Sequence, residues 1–117
     1  MLFLLIAGHA LGDFALQGDA MASCKCKNTT NPLQKSVPWF HWLAAHALIH
    51  GLIVSAIVSW WGYSKDAAVV LGIAETAIHF GIDWLKCQGY TNIHLDQLLH
   101  ILCKVAWWAL LMNNVIA

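Results

Sequence analysis

The sequence predicts an all-α fold, a four-helix transmembrane bundle, on three observations. Of 117 residues, 60% are apolar and only 10% charged, with a mean hydropathy of +0.64; a soluble domain carries about a quarter charged residues. Four stretches, about 1–17, 39–63, 66–86 and 95–117, are apolar over nearly the roughly 17–25 residues that a helix needs to cross a bilayer. Each stretch also carries potential metal ligands at i,i+4, the spacing that stacks side chains on one face of a helix. Backbone in lipid must satisfy its own hydrogen bonds, which makes these segments helices rather than isolated strands. One membrane domain over 1–117 accommodates them all.

The first segment is short and is expected to tilt or to be partly immersed. No basic residue precedes its apolar run, and His9 and Asp13 interrupt it. It is therefore read as a retained helix, not a signal peptide, although Met21-Ala22-Ser23-Cys24 loosely resembles a lipoprotein cleavage box. A polar loop over 18–38 follows, with Lys25, Lys27, Lys35 and two prolines. The second segment opens on Trp39, Phe40 and Trp42 and closes on Trp60, Trp61 and Tyr63, an aromatic belt at both interfaces. A tight turn near 62–65 leads to the third segment, and a short loop over 87–94 leads to the fourth.

The lysines set an expected orientation. Lys25, Lys27, Lys35 and Lys86 flank one end of the bundle, whereas the other end has only Lys65 beside Asp66. The positive-inside rule then places the lysine-bearing loops in the cytoplasm and both termini outside. In that reducing compartment Cys24, Cys26 and Cys87 are not expected to form a structural disulfide. A lone C-x-C is a weak metal signal, so these cysteines are read as incidental or redox-labile, and Cys103 as a small packing residue. Six lysines balance six acids and there is no arginine, so nothing here is built to bind nucleic acid. The bilayer is the expected partner, and the limited core of so small a chain points to a homo-oligomer or a larger membrane assembly.

The ionisable residues form a stripe on each segment. The first has His9 and Asp13, the second His46 and His50, the third His79 and Asp83, and the fourth Asp96 and His100. At about 1.5 Å per residue from the cytoplasmic interface, Asp13, His46, Asp83 and His100 fall at similar depths. His9, His50 and His79 lie a turn deeper, and Asp96 is shallower. Both the first and third segments read H-x-x-x-D followed by an aromatic, so the chain is also read as two helical hairpins related by a pseudo-two-fold axis. Glu75 and Lys104 lie deeper, placed to pair or to support the ligands, and Gln17 and Gln97 sit near the mouth.

Ionisable groups in hydrocarbon are costly and usually functional. The eight residues His9, Asp13, His46, His50, His79, Asp83, Asp96 and His100 suit one or two divalent ions, zinc first, with iron or manganese as alternatives. Inward-facing ligands from four helices resemble the way bundles build dinuclear centres. Such ions activate water towards esters and phosphoesters, with Asp13, Asp83 or Glu75 as candidate catalytic carboxylates. The expected function is a metal-dependent hydrolase of a lipid or other membrane-borne ester or phosphoester. The alternatives are a proton or divalent-metal transporter or channel, a subunit held together by structural metal, polar contacts alone, and histidine-ligated haem. The tryptophans are read as interfacial and lipid-facing bulk. The missing arginines leave no phosphate clamp, which weighs against a phosphoester.

His9, Gly12-Asp13-Phe14-Ala15-Leu16-Gln17, His46-Ala47-Leu48-Ile49-His50, His79-Phe80-Gly81-Ile82-Asp83-Trp84-Leu85-Lys86 and Asp96-Gln97-Leu98-Leu99-His100 occur in this order along nearly the whole chain. In these motifs the sequence resembles a family of small integral membrane proteins of bacteria and their phages whose function is not established. The resemblance implies a polytopic protein of the bacterial inner membrane and brings no activity or cofactor with it. More loosely, the chain is similar to membrane-bound metal-dependent hydrolases with intramembrane His and Asp.

Overall fold

The structure, a computed structural model, describes residues 1–27 and 29–117. Among the described residues it is all-helical, with no strand. Helix α1 (Leu2–Ala10) runs directly into a π-helical turn over Leu11–Ala15. Helix α2 (Asp19–Cys24) and a 3-10 turn (Pro32–Lys35) then lead to α3 (Trp39–Trp60), α4 (Lys65–Cys87) and α5 (Ile93–Met112). Three helices, α3, α4 and α5, are long and apolar enough to cross a membrane, whereas the N-terminal apolar helical stretch Leu2–Ala15 is shorter. The expected four helices are thus five among the described residues, of which three, not four, are long and apolar enough to span a membrane. The region read as a polar loop contains α2, which begins after the extended Gly18 with Asp19 in its first turn, a favourable charge at a helix N-terminus.

Local chemistry sets the helix ends. Ser64 caps α4 by accepting a hydrogen bond from the Ala67 N–H at 3.1 Å, and Asn92 caps α5 by accepting from Leu95 N–H at 2.9 Å. Pro38 precedes α3 with an extended ψ, supplying a fixed φ and needing no backbone donor. Past the other ends, Gly62 and Gly89 take up φ values of +95° and +79°, which a side chain would disfavour.

The α3–α4 hairpin is joined at glycine. A Cβ on Gly51 would lie 2.5 Å from the Gly72 carbonyl oxygen, so this crossing depends on the missing side chain. An apolar core of Leu5, Val54, Val58, Ala68, Leu71, Trp107 and Leu111 joins α1, α3, α4 and α5 at one end. Towards the other end the buried polar residues gather, beside Leu43 and Ala47. Over the described residues, 11 buried side chains are polar or charged, matching the 11 that are hydrophobic. The outer surface is apolar instead, with Phe3, Leu52 and Ile73 each more than three-fifths exposed. Apolar outside and ionisable inside is the arrangement of a protein solvated by lipid. The molecule measures 45 × 26 × 21 Å, and its long axis matches the roughly 40–45 Å of a bilayer with its headgroups.

Two expectations change here. Cys26 and Cys87 form a disulfide, so they are neither incidental nor available with Cys24 as a thiolate site. The reason is tertiary: the end of α2 packs on the end of α4, where Lys25 pairs with Asp83 at 2.6 Å and the neighbouring Cys26 meets Cys87. Cys24 and Cys103 are free. The repeat of H-x-x-x-D does not extend to local geometry, because Asp13 sits in a π-turn and Asp83 in regular α-helix.

Candidate metal centre

Each helix delivers its ligands through i,i+4 stacking. His9 lies in the last turn of α1, and Asp13 follows in the π-turn. A π-turn is a local widening often found at functional positions, and here it aims Asp13 inwards. Gly12 makes room beside it, since a Cβ there would fall 2.5 Å from the His50 Cε1. His46 and His50 come from α3, His79 and Asp83 from α4, and Asp96 and His100 from α5. All eight are buried, and Asp13, at 6% exposure, is the most accessible of them.

One carboxylate oxygen is the focus. Asp13 Oδ1 lies 3.1 Å from His50 Nε2, 3.3 Å from His46 Nε2 and 3.8 Å from His79 Nε2. None of these four atoms has a hydrogen bond of acceptable geometry. A buried polar atom without a partner costs about 1–3 kcal/mol, a cost that an ion held by these four atoms would remove. A tetrahedral ion bound at about 2.0–2.1 Å separates its ligand atoms by about 3.3 Å, close to the spacings around Asp13 Oδ1. The donor set of three imidazoles and a carboxylate suits a borderline divalent ion.

The cluster extends beyond that quartet. His9, His79 and His100 form a second group able to hold an ion, and Asp13, Asp96 and His100 a third, with ligand atoms in each group within 4.8 Å of one another. Asp13 belongs to two of the three groups and can bridge ions between them. Its other oxygen, Oδ2, accepts a 2.7 Å bond from Gln97 Nε2 and lies 3.4 Å from His9 Nε2. Gln97 therefore orients the carboxylate, as its place near the mouth suggested, while Gln17 turns back to the Asp13 backbone carbonyl at 3.1 Å.

Asp83 stands apart from these groups. Lys25 Nζ donates to its Oδ2 at 2.6 Å, and His46 Nε2 and His100 Nε2 lie 3.4 and 3.3 Å from its two oxygens. Lys86 Nζ bonds Asp96 Oδ2 at 2.8 Å and lies 3.5 Å from Asp83 Oδ1. Two lysines thus close the loop-side end of the cluster. The sequence reading missed Lys25, which caps the C-terminal end of α2 inside the region read as a polar loop.

Glu75 is held more tightly than a free base would be. Its Oε1 takes the Lys104 ammonium at 2.5 Å, and its Oε2 takes Trp107 Nε1 at 2.7 Å. The same carboxylate faces His79 Nδ1 at 3.5 Å, the position of a group that orients a ligand imidazole. Trp107, read from sequence as interfacial bulk, is instead a buried donor at 7% exposure. Its signal was available: Asp96, His100, Lys104 and Trp107 continue one stripe of α5 at steps of four, four and three.

Three membrane-length apolar helices thus accompany buried His/Asp groups that could hold a metal ion. The chain belongs to the family described as "Protein of unknown function (DUF3307)", which it matches over residues 1–117. No curated protein and no solved structure matches it.

Proposed function

We propose that this is an integral membrane metalloprotein, a four-helix bundle in which the N-terminal helical stretch is the fourth element, and that it hydrolyses a membrane-borne ester. The observation that carries the metal reading is the convergence of three unpartnered imidazole nitrogens on one unpartnered carboxylate oxygen of Asp13. His46, His50, His79 and Asp13 would hold one ion, and a second would be held either by Asp13, Asp96 and His100 or by His9, His79 and His100. Zinc is the first choice, with iron or manganese as alternatives. Ions of this class polarise an acyl or phosphoryl oxygen and activate water near neutral pH. The chain's own groups do the rest. Gln97 would fix the Asp13 carboxylate and Glu75 would orient His79, while Asp83, held by Lys25 and Lys86, would fix charge beside the cluster and not act as a free base. Without an arginine in the chain, a carboxylic ester suits the site better than a phosphoester.

The lysine-bearing end faces the cytoplasm, with both termini outside, in a bacterial inner membrane. Lys27 and Lys35 are exposed at that end, and they still outnumber Lys65 although Lys25 and Lys86 are neutralised by Asp83 and Asp96. Exposed apolar faces on all sides meet lipid or further copies of the chain. One other reading has an observation of its own: the complete burial of the ligands suits a metal that only holds the helices together. Transport is less well supported, because the apolar core from Leu5 to Leu111 lies beyond the Glu75–Lys104 pair and interrupts a polar path.

Hydrolysis is tested with metal-loaded protein in vesicles that carry a fluorogenic acyl ester lipid. Turnover that needs the ion and disappears in Asp13→Asn supports the hydrolase. Stoichiometric metal without turnover on carboxylic or phosphate esters leaves the structural role in its place.

A further inference from the structure

The loop-side end of the centre combines three features that the metal site alone does not require. Lys25, the C-cap of the short helix α2, is buried with its ammonium 2.6 Å from Asp83 Oδ2. The next residue, Cys26, is bonded to Cys87, which lies one helical turn beyond Asp83 on α4. The loop is further pinned by Gln34, whose Nε2 donates to the carbonyls of Cys24 and Cys26, both at 2.6 Å. Asp83 faces two ligand imidazoles, His46 and His100, at 3.4 and 3.3 Å. It lies outside the ligand groups, beside two of their imidazoles, and carries a tethered cation.

We propose that the Cys26–Cys87 disulfide is a redox gate on the metal centre. Oxidised, it holds Lys25 in the Asp83 carboxylate and keeps that carboxylate out of the ligand set. Reduced, it releases the loop, Lys25 leaves, and Asp83 becomes a further ligand. The proposal rests on the metal reading given above. With this end placed in the cytoplasm, as proposed above, a disulfide there is of the transient, redox-sensing kind. Both cysteines are partly exposed, so a reductant can reach them. The step is balanced by a dithiol donor: the S–S bond breaks, each sulfur leaves as a thiol with one proton, and the donor closes its own disulfide. Two electrons and two protons pass from donor to protein. Once Lys25 is gone the buried Asp83 charge lacks its closest partner, and a divalent cation is the natural replacement.

Cobalt(II) titration of the purified chain in detergent tests this through the visible bands of the bound ion. Four forms are compared: oxidised wild type, wild type reduced with a water-soluble phosphine, Lys25→Met, and Asp83→Asn. The phosphine takes up oxygen from water as it delivers the two electrons. The gate predicts at least about tenfold tighter cobalt binding after reduction, a size typical of changes around a metal site. Lys25→Met should show the same gain with its disulfide intact, which guards against reduced protein that merely unfolds. Asp83→Asn should show no gain on reduction. Equal affinity in oxidised wild type, reduced wild type and Lys25→Met overturns the gate and leaves the metal centre standing. A sulfur-to-cobalt charge-transfer band after reduction also overturns it, since the freed thiolates would then be the new ligands. Absence of bound cobalt in every form overturns the gate together with the metal reading.

Discussion

Removing one partner of a buried ion pair leaves a charge in hydrocarbon-like surroundings, and Lys104 is the residue where that penalty is plainest. Its ammonium is 1% exposed and rests on Glu75, which also takes the Trp107 indole N–H. Lys104→Met should destabilise the protein by about 3–5 kcal/mol, read by thermal unfolding in detergent. The double variant Glu75→Leu/Lys104→Met should recover most of that loss, because neither charge remains. An unchanged melting point in the single variant would contradict the pairing. At this scale the sequence was legible wherever a residue had helical neighbours. His46 with His50, and Asp96 with His100, declared a shared face by spacing alone. Lys25 was not legible, since what buries it is an ion pair 58 residues away in sequence. Nor was the Cys26–Cys87 bond, which spans 61 residues and which the lysine-based compartment assignment argued against.

Among the elements, the N-terminal stretch departs most from expectation, and its π-turn is where fold and site meet. Helix α1 alone is 9 residues long, too short to span a bilayer. Its continuation through Leu11–Ala15 presents Asp13 to three imidazoles from two other helices. The turn works only with Gly12 against the His50 ring. Gly12→Ala should push His50 off its position and weaken metal binding at least about tenfold, with helix content by circular dichroism unchanged. Undiminished affinity in that variant would remove His50 from the ligand set. The π-turn itself could not be read from sequence, because an apolar run of this kind supports an α-helix equally well. The starts of the three long helices were readable to within two residues, since they follow Pro38, Ser64 and Asn92, where capping chemistry is local, whereas α3 stops at Trp60 and α5 at Met112, short of the expected 63 and 117.

For the whole molecule, an apolar exterior surrounds a core that is half ionisable, and the two ends differ. One end is a hydrocarbon-like cluster, and the other is the His/Asp centre closed by two lysines and a disulfide. If the lysine-bearing end is cytoplasmic, a membrane-impermeant amine reagent on intact cells should label Lys65 and leave Lys27 and Lys35 unlabelled; the reverse pattern would invert the bundle. The central claim is that the inward-facing histidines and aspartates exist to bind metal. Elemental analysis of protein purified without added chelator measures this directly, with wild type set against His46→Ala and Asp13→Ala. The account predicts one or two equivalents of a divalent transition metal in the wild type and loss of that metal in both variants, most completely in Asp13→Ala because its carboxylate serves two ligand groups. Folded wild-type protein with no stoichiometric metal, and no uptake when zinc, iron(II) or manganese(II) is supplied, would contradict it.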